Sequence, residues 1–185
     1  SEKIFNIQGQ LKKENTQSVS SLIKKWMEDN LTKHVNDIKA NKKEIIIPVC
    51  YDKTVGLDIE SVAQKHNLTI QEVIELHTAI TYRVFMNGFL PGFAYMGIVD
   101  PSIQTPRHES PRPLVKAGSV GIAGVQTGIY PTGSPGGWQI IGRTPIKIFD
   151  PTSTSLTLFK VGDQVRFKPI DLKLFHTLNT HEDVH

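Results

Sequence analysis

The chain has 185 residues, with 38% hydrophobic and 21% charged side chains and a formal net charge of +3. This length predicts one domain, or one domain and a small second lobe, with a core that needs no disulfide or metal. The weak, unclustered positive charge argues against a nucleic-acid partner. No stretch approaches the ~20 consecutive apolar residues of a membrane span, so no membrane partner is expected. The single cysteine, Cys50, excludes an internal disulfide framework and favours a reducing, cytoplasmic location.

The first part of the chain carries a helical pattern. Apolar residues recur at three- and four-residue steps over residues 17–39, which predicts an amphipathic helix that packs on a core. Those residues are Val19, Leu22, Ile23, Trp26, Met27, Leu31, Val35 and Ile38. Glu44 to Tyr51 predicts a strand, and Pro48 favours an edge or a bulge within it.

Two short helices are predicted after this strand. Asp58 is a suitable N-cap for a helix that ends near His66 and Asn67. The sequence Thr69-Ile70-Gln71-Glu72 is a capping box, which predicts a second helix to about Thr78. Together with the strand, these helices predict a small α/β lobe over residues 1–80.

The second part of the chain changes character. Residues 88–145 hold eleven of the fourteen glycines and eight of the eleven prolines. Short β-like segments separated by such residues predict a sandwich or a barrel. The segments are Tyr82–Phe85, Ser119–Ala123, Gln126–Ile129, Trp138–Ile141, Ile146–Phe149, Leu156–Phe159 and Gln164–Lys168. We therefore expect an α+β protein with a second domain over 81–170 and a polar, frayed tail over 171–185.

Several familiar chemical motifs are absent from the sequence. It contains no phosphate-binding G-x-x-x-x-G-K-[ST] loop, no G-x-G-x-x-G fingerprint, no G-x-S-x-G elbow and no H-E-x-x-H. His176, His181 and His185 lie near acids at the end of the chain, where residues are usually loose and solvated. No metal site is therefore predicted.

Residues 86–97 alternate turn formers with aromatic residues, as in Gly88-Phe89-Leu90-Pro91-Gly92-Phe93-Ala94-Tyr95. Aromatic side chains on a glycine-rich backbone are suited to the wall of a small-molecule site. The alternative is that Phe89, Phe93 and Tyr95 fill a core beneath a loop.

Two Pro-Arg pairs follow, five residues apart, at Pro106-Arg107 and Pro111-Arg112. Proline restricts the backbone beside each guanidinium, and a positioned arginine binds a carboxylate or phosphate through two parallel hydrogen bonds. Lys116 adds a third cation, so the segment suits an anionic ligand or an acidic partner. The alternative is a pair of surface arginines on a rigid loop.

The next segment, Ala117 to Pro131, interrupts a β-branched run with glycines at positions 118, 121, 124 and 128. Internal glycines weaken an ordinary strand, so this number of them indicates bulges or a backbone that lines a site. Gln126 offers an amide and Tyr130 a hydroxyl at such a site.

These motifs together resemble the family of the 5-oxoprolinase B subunits, which also includes the KipI histidine-kinase inhibitors and the allophanate hydrolase subunit 1 proteins. The motifs are G-F-x-P-G-F-x-Y, P-R-x-x-x-P-R, A-G-S-V-G-I-A-G-x-Q-T-G-I-Y-P, S-P-G-G-W and I-G-R-T-P, within about residues 66–170. The resemblance implies a cyclophilin-like β-barrel behind a small N-terminal α/β lobe, which is incomplete here relative to the family. Lys116 departs from the proline that is more usual in the family.

The resemblance implies a subunit of an ATP-dependent 5-oxoprolinase, which opens the lactam of 5-oxoproline to glutamate together with A-type and C-type partner subunits. ATP is then a co-substrate of the complex. The activated lactam needs cations near its developing negative charge. The candidate catalytic residues are His77, Arg107 and Arg112, and the candidate substrate-binding residues are Phe89, Lys116, Gln126, Tyr130 and Arg143. For His77, a contact with the last carbonyls of its helix is the alternative.

Two other functions are compatible with the same motifs. A KipI-like protein binds a sensor histidine kinase and blocks its autophosphorylation, which requires an exposed apolar patch. The second of these functions is that of a subunit of an allophanate hydrolase or urea amidolyase-like system. Catalysis would be favoured if one cleft contained Arg107, Arg112, Gln126 and Tyr130. Inhibition would be favoured by a closed or apolar cleft with exposed aromatic residues at the barrel rim.

Overall fold

The computed structural model describes residues 44–179, together with Ser21, Lys24 and Lys25, which are helical. Those three residues fall within the helix predicted over 17–39, and the rest of that prediction lies outside the described residues. The chain divides into two compact units, residues 1–42 and residues 43–185.

The second unit contains nine strands, three α-helices and one 3₁₀ turn in its described part. In chain order they are β1 (Glu44–Cys50), α1 (Ile59–Lys65), α2 (Ile70–Thr78), β2 (Thr81–Asn87), β3 (Ala94–Gly97), the 3₁₀ turn (Pro101–Ile103), β4 (Arg112–Val115), β5 (Ser119–Ala123), β6 (Gln126–Ile129), β7 (Ser134–Gly136), β8 (Gln139–Arg143), β9 (Gln164–Ile170) and α3 (Leu172–Leu178).

Seven of these strands form a closed barrel in the order β1-β8-β5-β6-β3-β2-β9. The strands β1 and β9 run parallel along their whole lengths, from Glu44 beside Gln164 to Cys50 beside Ile170. The other neighbours in the barrel are antiparallel. This closed mixed barrel with its helices confirms the predicted α+β class.

The barrel interior is apolar because alternate residues of each strand point inward. In β1, Ile45, Ile47 and Val49 are buried, and Glu44 and Ile46 are exposed. Val120, Ile122, Ile129, Val165 and others from the remaining strands complete one large core.

The strands β4 and β7 form a separate two-stranded sheet, with Arg112 beside Gly136 and Val115 beside Ser134. A second, smaller core of Phe93, Val115, Tyr130 and Ile140 connects this sheet to the barrel strands. This second core positions the candidate site described below.

The strand Glu44–Cys50 is part of the barrel and not of a separate lobe ending at residue 80. Its parallel partner β9 lies about 120 residues later in the chain, as the paired positions 44 and 164 show. Helices α1 and α2 belong to the same compact unit as the barrel. Local sequence patterns predicted β1, α1 and α2 correctly. The pairing of β1 with β9 could not be predicted in the same way, because the two strands are far apart in the sequence.

The predicted polar tail also differs from the structure. Residues 172–178 form α3, and the Asp171 side chain accepts a hydrogen bond from the Leu174 amide at its N-terminus. Phe175 is buried. Four of the seven residues of α3 are apolar, which the prediction of a polar tail overlooked, and the burial of Phe175 depends on the barrel surface against which it packs.

The predicted strands of the second part of the chain were partly confirmed. β5 and β6 have the predicted bounds, whereas Ile146–Phe149 and Leu156–Phe159 form only an isolated bridge between Phe149 and Thr157. β3, β4 and β7 were not predicted, because each is only three or four residues long and lies among glycines and prolines.

Candidate functional site

Five aromatic residues, Phe89, Phe93, Tyr95, Tyr130 and Trp138, form one contiguous group that we call the aromatic cluster. Phe93 is at its centre, with ring centroids 4.8 Å from Tyr95, 5.3 Å from Trp138 and 5.4 Å from Tyr130. The rings meet edge to face, the arrangement that the charge distribution of aromatic rings favours. Phe93 and Tyr130 are buried, whereas Phe89 is 61% exposed. The cluster is therefore a small core with Phe89 at its rim.

Glycines allow this cluster to lie directly on the barrel. A Cβ at Gly128 would lie 3.1 Å from the Phe93 ring and 3.2 Å from the Trp138 ring. A Cβ at Gly136 would overlap the Tyr130 hydroxyl. The sequence predicted bulges or a site-lining backbone at glycines 118, 121, 124 and 128, and the strand register does shift between Val120 and Gly121.

Tyr130 contributes a buried hydroxyl group to the aromatic cluster. Burial raises the pKa of Tyr130, and a backbone hydrogen bond involving Trp138 opposes that change. Tyr130 is therefore a protonated phenol at neutral pH, and its hydroxyl lies beside Gly136.

Asp58 is buried and forms an ion pair with Arg112, and His108 lies beside this pair. Arg112 donates two hydrogen bonds to the Asp58 carboxylate, at 2.9 Å and 2.5 Å. The Ile140 amide donates a third, at 2.6 Å, and His108 Nε2 lies 3.3 Å from the same carboxylate. Asp58 is the N-cap residue of α1 as predicted, but its side chain does not cap the helix. The carboxylate instead joins α1, β8 and the start of β4.

Arg112 is thus already paired within the protein. Its side chain is 28% exposed and is also 3.0 Å from His108 Nε2. The sequence predicted Arg112 as a candidate clamp for an external anion. The bidentate pairing with a buried carboxylate gives it a different role, that of a structural link.

Arg107 is exposed and makes no hydrogen bond or ion pair within the described residues. Its Cβ lies beside Gly137, and Arg112 pairs with Gly136 in the small sheet. The two arginines therefore flank the same Gly136-Gly137 segment that also contacts Tyr130.

The remaining predicted residues lie apart from that segment. Lys116 is exposed in the turn between β4 and β5, at the far end of β4 from Arg112. Gln126 begins β6 and Tyr130 follows its end, so the two are separated by about 13 Å along the strand. The structure therefore brings Arg107, Arg112, Tyr130 and Phe89 into one region, and Gln126 and Lys116 lie outside it.

Arg143 is buried at the end of β8. Its Nε donates to the Ala117 carbonyl at 2.8 Å, and its guanidinium lies 5.8 Å from the centre of the Phe175 ring. These contacts give Arg143 a structural role that joins the β4–β5 turn to α3.

His77 is fully buried in the last turn of α2. Its Nδ1 lies 2.8 Å from the Tyr51 hydroxyl, its Nε2 lies 3.0 Å from the Thr127 hydroxyl, and its ring stacks on Phe167. Because Thr127 donates to the Gly121 carbonyl, its oxygen accepts from His77 Nε2–H, and Nδ1 accepts from Tyr51. Burial lowers the pKa of His77 to about 3. His77 is therefore a neutral core residue, neither a surface proton donor nor a cap of its own helix.

Asp58 and His108 were not predicted from the sequence as members of the site. Asp58 is 54 residues from Arg112, and its local context is that of a helix cap. The charge imbalance around Arg107 and Arg112 was the one signal available, since the loop itself supplies only Glu109 as a counter-charge.

A separate cleft of about 400 Å³ contains none of the predicted site residues. It is lined by Cys50, Tyr51, Asp52, Gln71, Ile74, Pro169, Ile170, Asp171 and Leu172.

In the described part of the chain, no group of three or more His, Cys, Asp or Glu side chains is placed to hold a metal ion. The helices of that part include none with the length and apolar character of a membrane span.

Residues 6–159 match the family model described as "Carboxyltransferase domain, subdomain C and D". The match includes β1 to β8 and the whole region around Gly136-Gly137. The chain belongs to this family.

Similar members of the carboxyltransferase C and D family include proteins named as the B subunit of 5-oxoprolinase. The Bacillus subtilis protein is 46% identical over 154 residues, which are 83% of this chain and 64% of that protein. The Escherichia coli O157:H7 protein is 42% identical over 147 residues, 80% of this chain and 65% of its own length. The chain therefore spans slightly less than two thirds of either relative.

A solved structure agrees with the barrel. The conserved uncharacterized protein of Pyrococcus horikoshii superposes with a TM-score of 0.70 at 46% sequence identity. The match covers 88% of this chain and 74% of that protein. Identity at this level together with the common fold supports the carboxyltransferase C and D assignment.

Proposed function

We propose that this chain is a subunit of an ATP-dependent 5-oxoprolinase, acting with A-type and C-type partner subunits to open 5-oxoproline to glutamate. The observation that carries the proposal is its identity of 42–46% with proteins named as 5-oxoprolinase B subunits. The match includes the segment that holds the aromatic cluster and both arginines.

The chemistry of lactam opening explains why such a region is useful. The lactam carbonyl is resonance-stabilised, so water attack requires activation, which ATP supplies by phosphorylating the carbonyl oxygen. Water then adds to the carbonyl carbon, the C–N bond breaks with protonation of the nitrogen, and phosphate leaves. The negative charge of the substrate carboxylate and of the transferred phosphate needs fixed cations and hydroxyl donors nearby.

Arg107 and Tyr130 are the residues best placed for these tasks. Arg107 presents a guanidinium without a partner among the described residues, and Tyr130 keeps its proton because burial raises its pKa. Both adjoin the Gly136-Gly137 segment. ATP is the co-substrate of the complex in this proposal, and its phosphates would meet this chain at such a cation, since the sequence has no P-loop.

The test is 5-oxoproline-dependent ADP release by the two partner subunits, with and without this chain. ADP and glutamate formed in equal amounts only when the chain is present would support the proposal. Equal rates without the chain, or no association with either partner, would contradict it. A matched pair of variants, Arg107→Ala and Arg83→Ala, separates the site from general surface charge, because Arg83 is exposed on β2.

An inhibitor of a sensor histidine kinase is the second candidate function, favoured by the exposed aromatic ring of Phe89 at the rim of the cluster. A kinase autophosphorylation assay with the wild-type chain and Phe89→Ala tests it. Inhibition that the substitution abolishes, together with no effect on ADP release, would replace the oxoprolinase proposal with this one.

A further inference from the structure

The loop between Thr105 and Arg112 is fixed at several points. The Gln139 side-chain amide donates to the Pro106 carbonyl at 2.8 Å, and the His108 amide donates to the Gly137 carbonyl at 2.7 Å. These two contacts lie immediately on either side of Arg107. The backbone at Arg107 is therefore held in place, although its side chain is exposed.

The end of this loop is fixed by Asp58. The carboxylate is 5% exposed, and its oxygens accept from both terminal nitrogens of Arg112 and from the Ile140 amide. A buried carboxylate with three charge-assisted or backbone hydrogen bonds is a rigid anchor. The Asp58 amide also donates to the Ile140 carbonyl, at 2.7 Å, so the anchor is itself fixed to β8.

The two arginines of the repeated Pro-Arg motif therefore differ in their electrostatic state. The charge of Arg112 is compensated by Asp58, and a ligand anion would have to compete with a buried carboxylate for it. Arg107 has no such counter-charge among the described residues. A guanidinium on a fixed backbone loses less conformational freedom on binding an anion than one on a mobile loop.

We propose that Asp58 is a positioning residue, acting through Arg112 to hold the 105–112 loop so that Arg107 binds an oxyanion of the substrate. The proposal deepens the oxoprolinase assignment and rests on it for the identity of the ligand. The oxyanion is either the carboxylate of 5-oxoproline or a phosphate of ATP, because both accept two parallel hydrogen bonds from a guanidinium.

The first test is a double-mutant cycle on the reconstituted complex. Asp58→Asn keeps the size of the side chain and an acceptor for Ile140 but removes the charge that orients Arg112. We expect Asp58→Asn and Arg107→Ala each to raise KM for the same substrate by about 10- to 100-fold, as small displacements of a binding group do. A raised KM for 5-oxoproline identifies the carboxylate, and a raised KM for ATP identifies the phosphate.

The combined variant decides whether Asp58 acts through Arg107. In the Arg107→Ala background, Asp58→Asn should change KM less than about twofold, because the residue that it positions is already absent. Multiplied effects, or a fall in kcat with both KM values unchanged, would overturn the proposal. Glu44→Gln is the control, since it removes a carboxylate from the exposed ion pair with Arg166 and should leave both constants unchanged.

A second measurement does not depend on oxoprolinase activity. The measurement follows the side-chain Nε resonance of Arg107 by NMR, in the full chain with its partners present. The resonance is assigned by its loss in Arg107→Lys. The titrants are 5-oxoproline, ATP and inorganic phosphate. A saturable shift in the wild type that weakens at least several-fold in Asp58→Asn supports the positioning role, whether or not the complex opens the lactam. No shift with any of the three probes overturns it. Unchanged amide exchange in β5 and β6 of Asp58→Asn verifies that the variant remains folded.

Discussion

The buried histidine of α2 makes protein stability depend on pH in a calculable way. His77 has its pKa lowered to about 3 because its ring is enclosed between Tyr51, Thr127 and Phe167. An unfolded chain would protonate the same ring near pH 6.5. Between these two values the unfolded state binds more protons than the folded state, so stability falls as the pH is lowered.

The size of the effect follows from proton linkage. Lowering the pH from about 7 to about 5 should reduce the free energy of unfolding by about 2 kcal/mol through His77 alone. The loss begins as the pH passes below the unfolded pKa near 6.5 and continues toward about 3. The contribution of His77 is obtained as a difference between variants.

The assay is urea unfolding at several pH values for the wild type, His77→Gln and His176→Gln. The difference in unfolding free energy between wild type and His77→Gln should shrink by about 2 kcal/mol from pH 7 to pH 5, because glutamine does not titrate. His176 is exposed on α3 and serves as the matched control. If His77→Gln is too unstable to measure, the His77 ring signals of the wild type should show no titration by NMR down to about pH 4. Parallel pH profiles for wild type and His77→Gln, or a ring that titrates near pH 6.5, would refute the assignment of a neutral core histidine.

Two further substitutions test the packing around the site and the end of the barrel. Gly136→Ala should destabilise the protein by about 1–3 kcal/mol, because the new methyl group overlaps the Tyr130 hydroxyl. Gly133→Ala should change the thermal unfolding temperature little, since its Cβ would lie no closer than 3.4 Å to any neighbouring atom. Equal effects of the two glycine substitutions would contradict the close approach at Tyr130. Phe175→Ala should lower the free energy of unfolding, measured by chemical denaturation, by about 3–5 kcal/mol. Leu174→Ala, at a half-exposed neighbour, should lower it by less than about 1 kcal/mol. A small loss of unfolding free energy in Phe175→Ala would contradict the packing of α3 and support a frayed tail.

Local sequence patterns predicted a secondary-structure element correctly where the interactions that form it lie within one short segment. The capping box at Thr69 and Glu72 forms as predicted, and α2 extends to Thr78. The bounds of β5 and β6 agree with those predicted. The glycine-rich segment was associated with bulges or a site-lining backbone, and the register shift between Val120 and Gly121 agrees with the first of these.

Tertiary structure decided which residues share a site and which charges are already paired. Nothing near Asp58 in the sequence distinguishes a helix cap from the buried partner of Arg112, since the pairing joins positions 54 residues apart. His77 likewise has the sequence context of a helix end. Only the packing of its ring against Tyr51, Thr127 and Phe167 removes the water that would let it carry a proton. The sequence indicated part of the candidate site, but it gave neither Asp58 as a member nor the pairing of the charges, because burial and charge compensation arise only when distant segments meet.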